Sequence, residues 1–219
     1  MNDILKIIDH TLLRQDITAE DLQRHCAEAA KYGFATVVVH PAQVARAAAL
    51  LSRAAKVCTV AGFPFGEDVT EIKASSARVS VGLGAQEIDM VMRISAAKQG
   101  DWQAVTADIA AVTAAAGVPV KVIIETALLT EREIIRAAQC CIEGGAAFVK
   151  TSTGYFGQGA TVENVALLAS VCGGKIKVKA AGGVRTLDDA RAMINAGAQR
   201  IGTSAGVAIA GGLTHNGTY

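Results

Sequence analysis

A short β-branched run, a helix-patterned stretch and a glycine stop follow one another eight times along this chain. Strands are expected at Lys6–Leu12, Ala35–Val39, Val57–Gly62, Glu87–Met92, Lys121–Glu125, Phe148–Thr151, Ile176–Ala180 and Arg200–Thr203. Thr18 is placed to cap the first long helix, with Asp21 at its third position and Leu22, Cys26, Ala29 and Ala30 as its apolar stripe. Gly33 should end it, because glycine takes a positive φ at little cost. The scheme repeats over Asp101–Ala116, Thr130–Glu143, Thr161–Cys172 and Thr186–Ala196, each followed by glycine. Parallel strands need helical crossovers of this kind. Eight such units with no Pro/Ser-rich linker predict an α/β fold, a single (β/α)8 TIM barrel over residues 1–219, with 211–219 as a flexible tail. A doubly wound sheet would want a glycine fingerprint after its first strand, and His10-Thr11-Leu12-Leu13 supplies none. Gly82-Leu83-Gly84 reads as a helix end.

Composition narrows the function classes. With 51% apolar and 19% charged residues over 219, the chain has enough apolar mass for a real core. Its 21 basic residues meet 20 acidic ones, which leaves no field to hold a nucleic acid. Aromatics at 4% are too few for base-stacking platforms. No apolar run approaches the ~18 residues of a membrane span, and the first residues lack a signal-peptide core. The five cysteines form no CxxC and read as reduced thiols of a cytoplasmic protein; the four histidines show no ligand spacing. No metal and no cofactor are expected, and no nucleic-acid or membrane partner.

The strands carry charges where a core should be apolar. Side chains two apart on a strand share a face. Glu87 with Asp89, Lys121 with Glu125, and Lys177 with Lys179 each share one, and Lys150 lies opposite Val149. Ile88, Met90, Val122, Ile124, Val149 and Val178 then face the helices. Edge strands with solvated faces would account for one such pattern, but parallel strands are covered on both sides, so four cannot all be edges. The charged set is expected inside the barrel, mutually compensated and one cation in excess.

Lys150 and Lys179 stand on consecutive strands near their C-terminal ends, where barrel active sites form. Two ammonium groups ~6 Å apart at an effective dielectric of ~20 repel by roughly 3 kcal/mol, or about two pKa units. A lysine so depressed is a nucleophile towards carbonyl carbon. Asp89 is the candidate proton shuttle. Gly182-Gly183-Val184-Arg185 after the seventh strand, and Gly202-Thr203-Ser204 at the eighth, lie where barrels bind phosphate, with a short last helix over Ala205–Ala210. Thr151, Ser152 and Thr153 add hydroxyls after the sixth strand.

Several stretches resemble the deoxyribose-phosphate aldolase family, in order and at family spacing from residue 7 to about 209. They are Ile8-Asp9-His10-Thr11-Leu12-Leu13, Gly62-Phe63-Pro64-Phe65-Gly66, Glu87-Ile88-Asp89-Met90-Val91, Val122-Ile123-Ile124-Glu125-Thr126, Val149-Lys150-Thr151-Ser152-Thr153-Gly154 and Val178-Lys179-Ala180-Ala181-Gly182-Gly183-Val184-Arg185. The resemblance implies a metal-independent class I aldolase that reversibly cleaves 2-deoxy-D-ribose 5-phosphate to acetaldehyde and glyceraldehyde 3-phosphate, in deoxyribose phosphate catabolism. It implies Lys150 as the Schiff-base lysine and Asp89 with Lys179 as the proton relay. It also implies Asp9, Thr11 and Thr153 near the sugar, and Gly182, Gly183, Arg185, Gly202 and Ser204 around the phosphate. Partners would be small sugar phosphates and aldehydes, and the assembly a homo-oligomer, dimer or tetramer. Other Schiff-base barrels, such as transaldolases, and a non-catalytic sugar-phosphate-binding barrel are the rival readings. Val38 stands where some members carry a cysteine, Met92-Arg93-Ile94 departs from the family pattern, and Tyr219 ends the chain as a tyrosine ends some members.

Overall fold

The computed structural model describes residues 2–212. The tail expected at 211–219, with Tyr219, falls from residue 213 onward outside the described residues. Eight strands pair in parallel, each with its neighbour in sequence, and β1 closes on β8. The strands are β1 Ile8–Leu12, β2 Thr36–Val39, β3 Lys56–Ala61, β4 Glu87–Val91, β5 Val120–Ile123, β6 Phe148–Lys150, β7 Lys177–Ala181 and β8 Arg200–Thr203. The helices are α1 Asn2–Leu5, α2 Ala19–Tyr32, α3 Val44–Leu51, α4 Thr70–Gly82, α5 Ile94–Lys98, α6 Trp102–Ala116, α7 Glu131–Glu143, α8 Val162–Cys172, α9 Leu187–Asn195 and α10 Gly206–Ala210. This is the (β/α)8 barrel the repeat predicts.

Local chemistry sets the boundaries. Thr18, Thr130 and Thr186 each form a full capping box, and Asp101 and Thr161 cap α6 and α8. Gly33 ends α2 in the left-handed region. Only β8 keeps its expected bounds; β2, β3, β4 and β6 shift by a single residue at one or both ends, and three other strands need comment. β1 begins at Ile8 rather than at residue 6, because the preceding residues form a helical turn with Ile7 N–H bonded to Ile4 C=O at 3.2 Å. β7 runs one residue later than expected. β5 stops at Ile123, and Glu125 turns out of the strand at φ 53.

Two apolar clusters fill the molecule. The large one lies between strands and helices and contains Ile88, Met90, Val122, Ile124, Val149 and Val178, all buried. The small one, Leu13, Val38, Cys58 and Val60 with Phe63 against it, lines the barrel interior on the side of strands one to three. The rest of the interior holds the charged side chains together with buried Val91, Ile123, Phe148 and Ala181, which alternate with them on the same strand faces. All five cysteines are free and buried. Among the described residues no helix is long and apolar enough to cross a membrane.

Thr130→Ala removes the hydroxyl that caps α7 while leaving the barrel interior untouched. We expect a loss of about 1 kcal/mol in unfolding free energy, read from urea denaturation. An unchanged midpoint would show that α7 is held by packing alone.

Candidate active site

The strand register decides which charges meet. Asp89 lies beside Lys121, and Lys150 beside Lys179, which in turn neighbours Arg200. At the bottom of the interior, the Phe148 ring lies 5.2 Å from the Arg200 guanidinium carbon. Glu87 accepts Lys121 at 2.8 Å and Arg200 at 3.2 Å. Above it, Asp9 takes Arg200 at 2.7 Å and Thr36 Oγ1 at 2.8 Å on one oxygen, and Lys179 on the other, with Lys121 3.4 Å away. Asp89 closes the ladder. Its Oδ1 accepts Lys121 at 2.8 Å and the Cys58 thiol at 3.2 Å; its Oδ2 accepts Lys179 at 2.7 Å and Lys150 at 2.8 Å. Lys150 keeps 4% exposure, whereas Lys121 and Lys179 have none.

Buried ions are tolerated only when paired and hydrogen-bonded. The ladder holds four cations, Lys121, Lys150, Lys179 and Arg200, against three anions, Asp9, Glu87 and Asp89. Burial works to raise the pKa of Asp9 and Asp89, but the surrounding cations overcome it and hold both below the usual carboxylate range. Burial would lower Lys121, yet Asp89 and Asp9 push it well above the ordinary lysine value. Lys150 alone of these goes the other way. Burial is the largest cause of its lowered pKa; Asp89 opposes, and the Lys179 charge adds to the lowering. The direction is the one the lysine pair led us to expect, with desolvation rather than repulsion as the main cause. A neutral Lys150 leaves three cations on three anions.

Two of the expected interior charges are not part of this set. Lys177 lies exposed at the N-terminal end of β7, 5.7 Å from the Phe148 ring centroid. Alternation gave its face correctly, but its place on the strand puts it below the floor. Glu125 accepts hydrogen bonds from the backbone N–H and hydroxyl of Thr153, not from a lysine. Burial raises its pKa. The excess cation is therefore the expected count with different members. Asp9 and Arg200 take the places given to Glu125 and Lys177. Arg200 could have been found from its register beside Lys179.

The remaining candidates scatter around the mouth. Asp9 is fully buried within the ladder, and the Thr11 hydroxyl donates to its own Asp9 carbonyl at 3.0 Å. Gly182 is buried against the loop after β6, with Ala160 N–H on its carbonyl at 3.0 Å; Gly183 and Arg185 are exposed. Gly202 sits inside β8, where an added Cβ would come within 2.9 Å of Lys179 Cε. Its missing side chain is the space Lys179 occupies. Half-buried Ser204 follows. Thr203 ties the two glycine loops together, donating to Val184 C=O at 2.7 Å and accepting from Ala205 N–H at 2.9 Å. Ser152, noted in sequence only as one of several hydroxyls, is fully buried with no hydrogen-bond partner on Oγ.

Residues 4–211 match the model of the DeoC/LacD family aldolases. The deoxyribose-phosphate aldolase of Geobacillus sp. (strain WCH70) is 50% identical over 221 residues, covering 100% of this chain and 99% of that protein. Among solved structures, the one described as "QR15, an Aldolase" has a TM-score of 0.93 at 40% identity, covering 96% of each chain. The deoxyribose phosphate aldolase from Aeropyrum pernix, described as a unique tetramer, has a TM-score of 0.90 at 33% identity, covering 96% of this chain and 90% of that one. A buried lysine–carboxylate ladder inside a (β/α)8 barrel and these likenesses agree: the chain belongs to the DeoC/LacD aldolase family.

Proposed function

We propose that this chain is a class I aldolase that reversibly cleaves 2-deoxy-D-ribose 5-phosphate to acetaldehyde and D-glyceraldehyde 3-phosphate, serving deoxyribose phosphate catabolism. One observation carries the reading. The Lys150 and Lys179 ammonium groups share a single oxygen of Asp89, at 2.8 and 2.7 Å. A buried amine beside a second cation and a carboxylate is built to form and use a Schiff base.

Lys150, as neutral amine, adds to C1 of the open-chain aldehyde, and loss of water gives an iminium. That cation replaces the ammonium over Asp89. Removal of the C3 hydroxyl proton by the Asp89–Lys179 couple sends the C2–C3 bonding pair into the iminium. An enamine and glyceraldehyde 3-phosphate result. Protonation of the enamine at C2 and attack by water return Lys150 and acetaldehyde. Lys179 contributes to the lowered pKa of Lys150 and stabilises developing oxyanions from a fixed position. The joined loops holding Gly182, Gly183, Arg185, Gly202 and Ser204 receive the phosphate, and Thr11 and Thr153 lie on the sugar side. Asp9 acts from beneath by holding Lys179. The partners are then small sugar phosphates and aldehydes, with no metal or cofactor. The tetrameric relative supports a homo-oligomer.

Borohydride with acetaldehyde should label Lys150 and no other residue, as read by peptide mass spectrometry. A label on Lys179 or Lys121 with Lys150 clean would overturn the assignment.

Lys179→Leu removes a charge that lowers Lys150 and leaves Asp89 raising it, so the Lys150 pKa should rise. The neutral amine fraction near pH 7.5 then falls. Borohydride trapping should slow accordingly and recover as pH climbs towards about 10. Superimposable trapping profiles for variant and wild type would show that Lys179 does not tune Lys150.

Ser204→Asp places a carboxylate in the proposed anion site. KM for the phosphorylated sugar should rise at least tenfold, a difference of about 1.4 kcal/mol, while KM for unphosphorylated deoxyribose stays near wild type. Equal losses on both would make the loop structural.

A further inference from the structure

A further buried lysine lies outside the ladder. Lys73, on α4, has no exposed surface. Its ammonium donates to Gly66 C=O at 2.8 Å, to Val91 C=O at 3.1 Å and to Asp108 Oδ2 at 2.6 Å. Thr70 donates to the other Asp108 oxygen at 2.8 Å and accepts from Arg93 at 2.9 Å. Arg93, which departs from the family pattern, therefore belongs to this centre rather than to the ladder. The three bonds of Lys73 join the loop after β3, the exit of β4 and the middle of α6.

The loop is shaped to the lysine. An added Cβ on Gly62 would meet Lys73 Cδ at 2.6 Å, and one on Gly66 would meet Met92 C=O at 2.1 Å. Between these two glycines the chain turns Phe63 inward, onto Leu13, Val38, Cys58 and Val60. Its ring meets Tyr155 edge-on at 5.3 Å and His40 at 6.4 Å. Tyr155 Oη and His40 Nε2 both bond to Leu13 C=O, at 2.8 and 2.7 Å. Strand order puts this apolar wall across the barrel from β6 and β7, which carry Lys150 and Lys179. In register, Val60 stands next to Asp89.

We propose that Lys73 is a positioning residue for the reaction: its bonds to the Gly66 and Val91 carbonyls hold Phe63 as the apolar wall that faces the Schiff-base lysine. The proposal rests on the aldolase reading. An apolar side chain at position 73 would fill the same volume but could not fix the loop against β4. A lysine with three acceptors in three directions does both, and Asp108 balances its charge.

The test is a double-mutant cycle on kcat/KM for deoxyribose 5-phosphate cleavage. Lys73→Met combined with Asp108→Leu removes both fully buried charges together; Arg93, which is partly exposed, loses its Asp108 ion pair at 3.8 Å and keeps its bond to Thr70. Gly66→Ala displaces the same carbonyl from the other side and keeps the lysine. Whichever variant folds, as judged by cooperative thermal unfolding, carries the cycle. Each should lower kcat/KM about ten- to a hundredfold, as should Phe63→Ala. Combined with Phe63→Ala, the clamp variant should be no worse than Phe63→Ala alone, within about twofold. The pH midpoint of borohydride trapping by acetaldehyde should stay at its wild-type value, because the charges around Lys150 are intact. Additive losses, wild-type kcat/KM in a folded clamp variant, or a moved trapping midpoint would each overturn the inference. A wild-type chain that does not cleave the sugar phosphate would remove the aldolase reading and this inference with it. An active wild type with additive losses removes the inference alone.

Discussion

Asp89 receives three lysines and a thiol on two oxygens, and the interior of the barrel is organised around that convergence. Barrel interiors are commonly filled by layers of branched apolar side chains. Here strand one and strands four to eight contribute a ladder of charges to theirs. Such a core cannot be dismantled in part, because taking one partner from a buried pair typically costs 3–5 kcal/mol. Three carboxylates cannot neutralise four cations. The proton that leaves most easily is the one on the lysine with access to the mouth. Stability and chemistry thus ask for the same event, the discharge of Lys150.

That logic also fixes the direction of the site. Asp9 and Glu87 anchor Lys179, Lys121 and Arg200 from below, so these side chains have no freedom to swing towards a ligand. Lys150 bonds Asp89 alone within the ladder. It is the member that can exchange its ammonium for an iminium without breaking a second ion pair.

Much of this was readable from residue order. Period-two alternation identified Glu87, Asp89, Lys121, Lys150 and Lys179 as facing inward, since the pleat leaves no other choice. Alternation gives a face but not a depth, which is why Lys177 was placed inside although it sits at the strand's exposed start. It also assumes that the strand continues, and at Glu125 the backbone has already left it. Arg200 heads its strand and was not among the charges that alternation singled out. Lys73 lies on a helix, where a lone lysine reads as a solvated charge. Only the packing of α4 against the β4 exit and α6 reveals three acceptors around it. The paired glycine loops were visible as motifs, whereas the Thr203 bonds that unite them depend on the eighth strand lying beside the seventh.

Gly202 gives this barrel a lopsided capacity for change. On the β7–β8 side, even a methyl group collides with the Lys179 stem. Redesign for a bulkier aldehyde has no volume to borrow there. On the opposite side, Leu13, Val38 and Val60 are apolar, uncharged and outside every ion pair of the ladder. Trimming them opens space without stranding a buried charge. Evolvability in this fold is therefore directional: the wall opposite the lysines can drift with substrate shape, while the wall that holds them is locked to its chemistry.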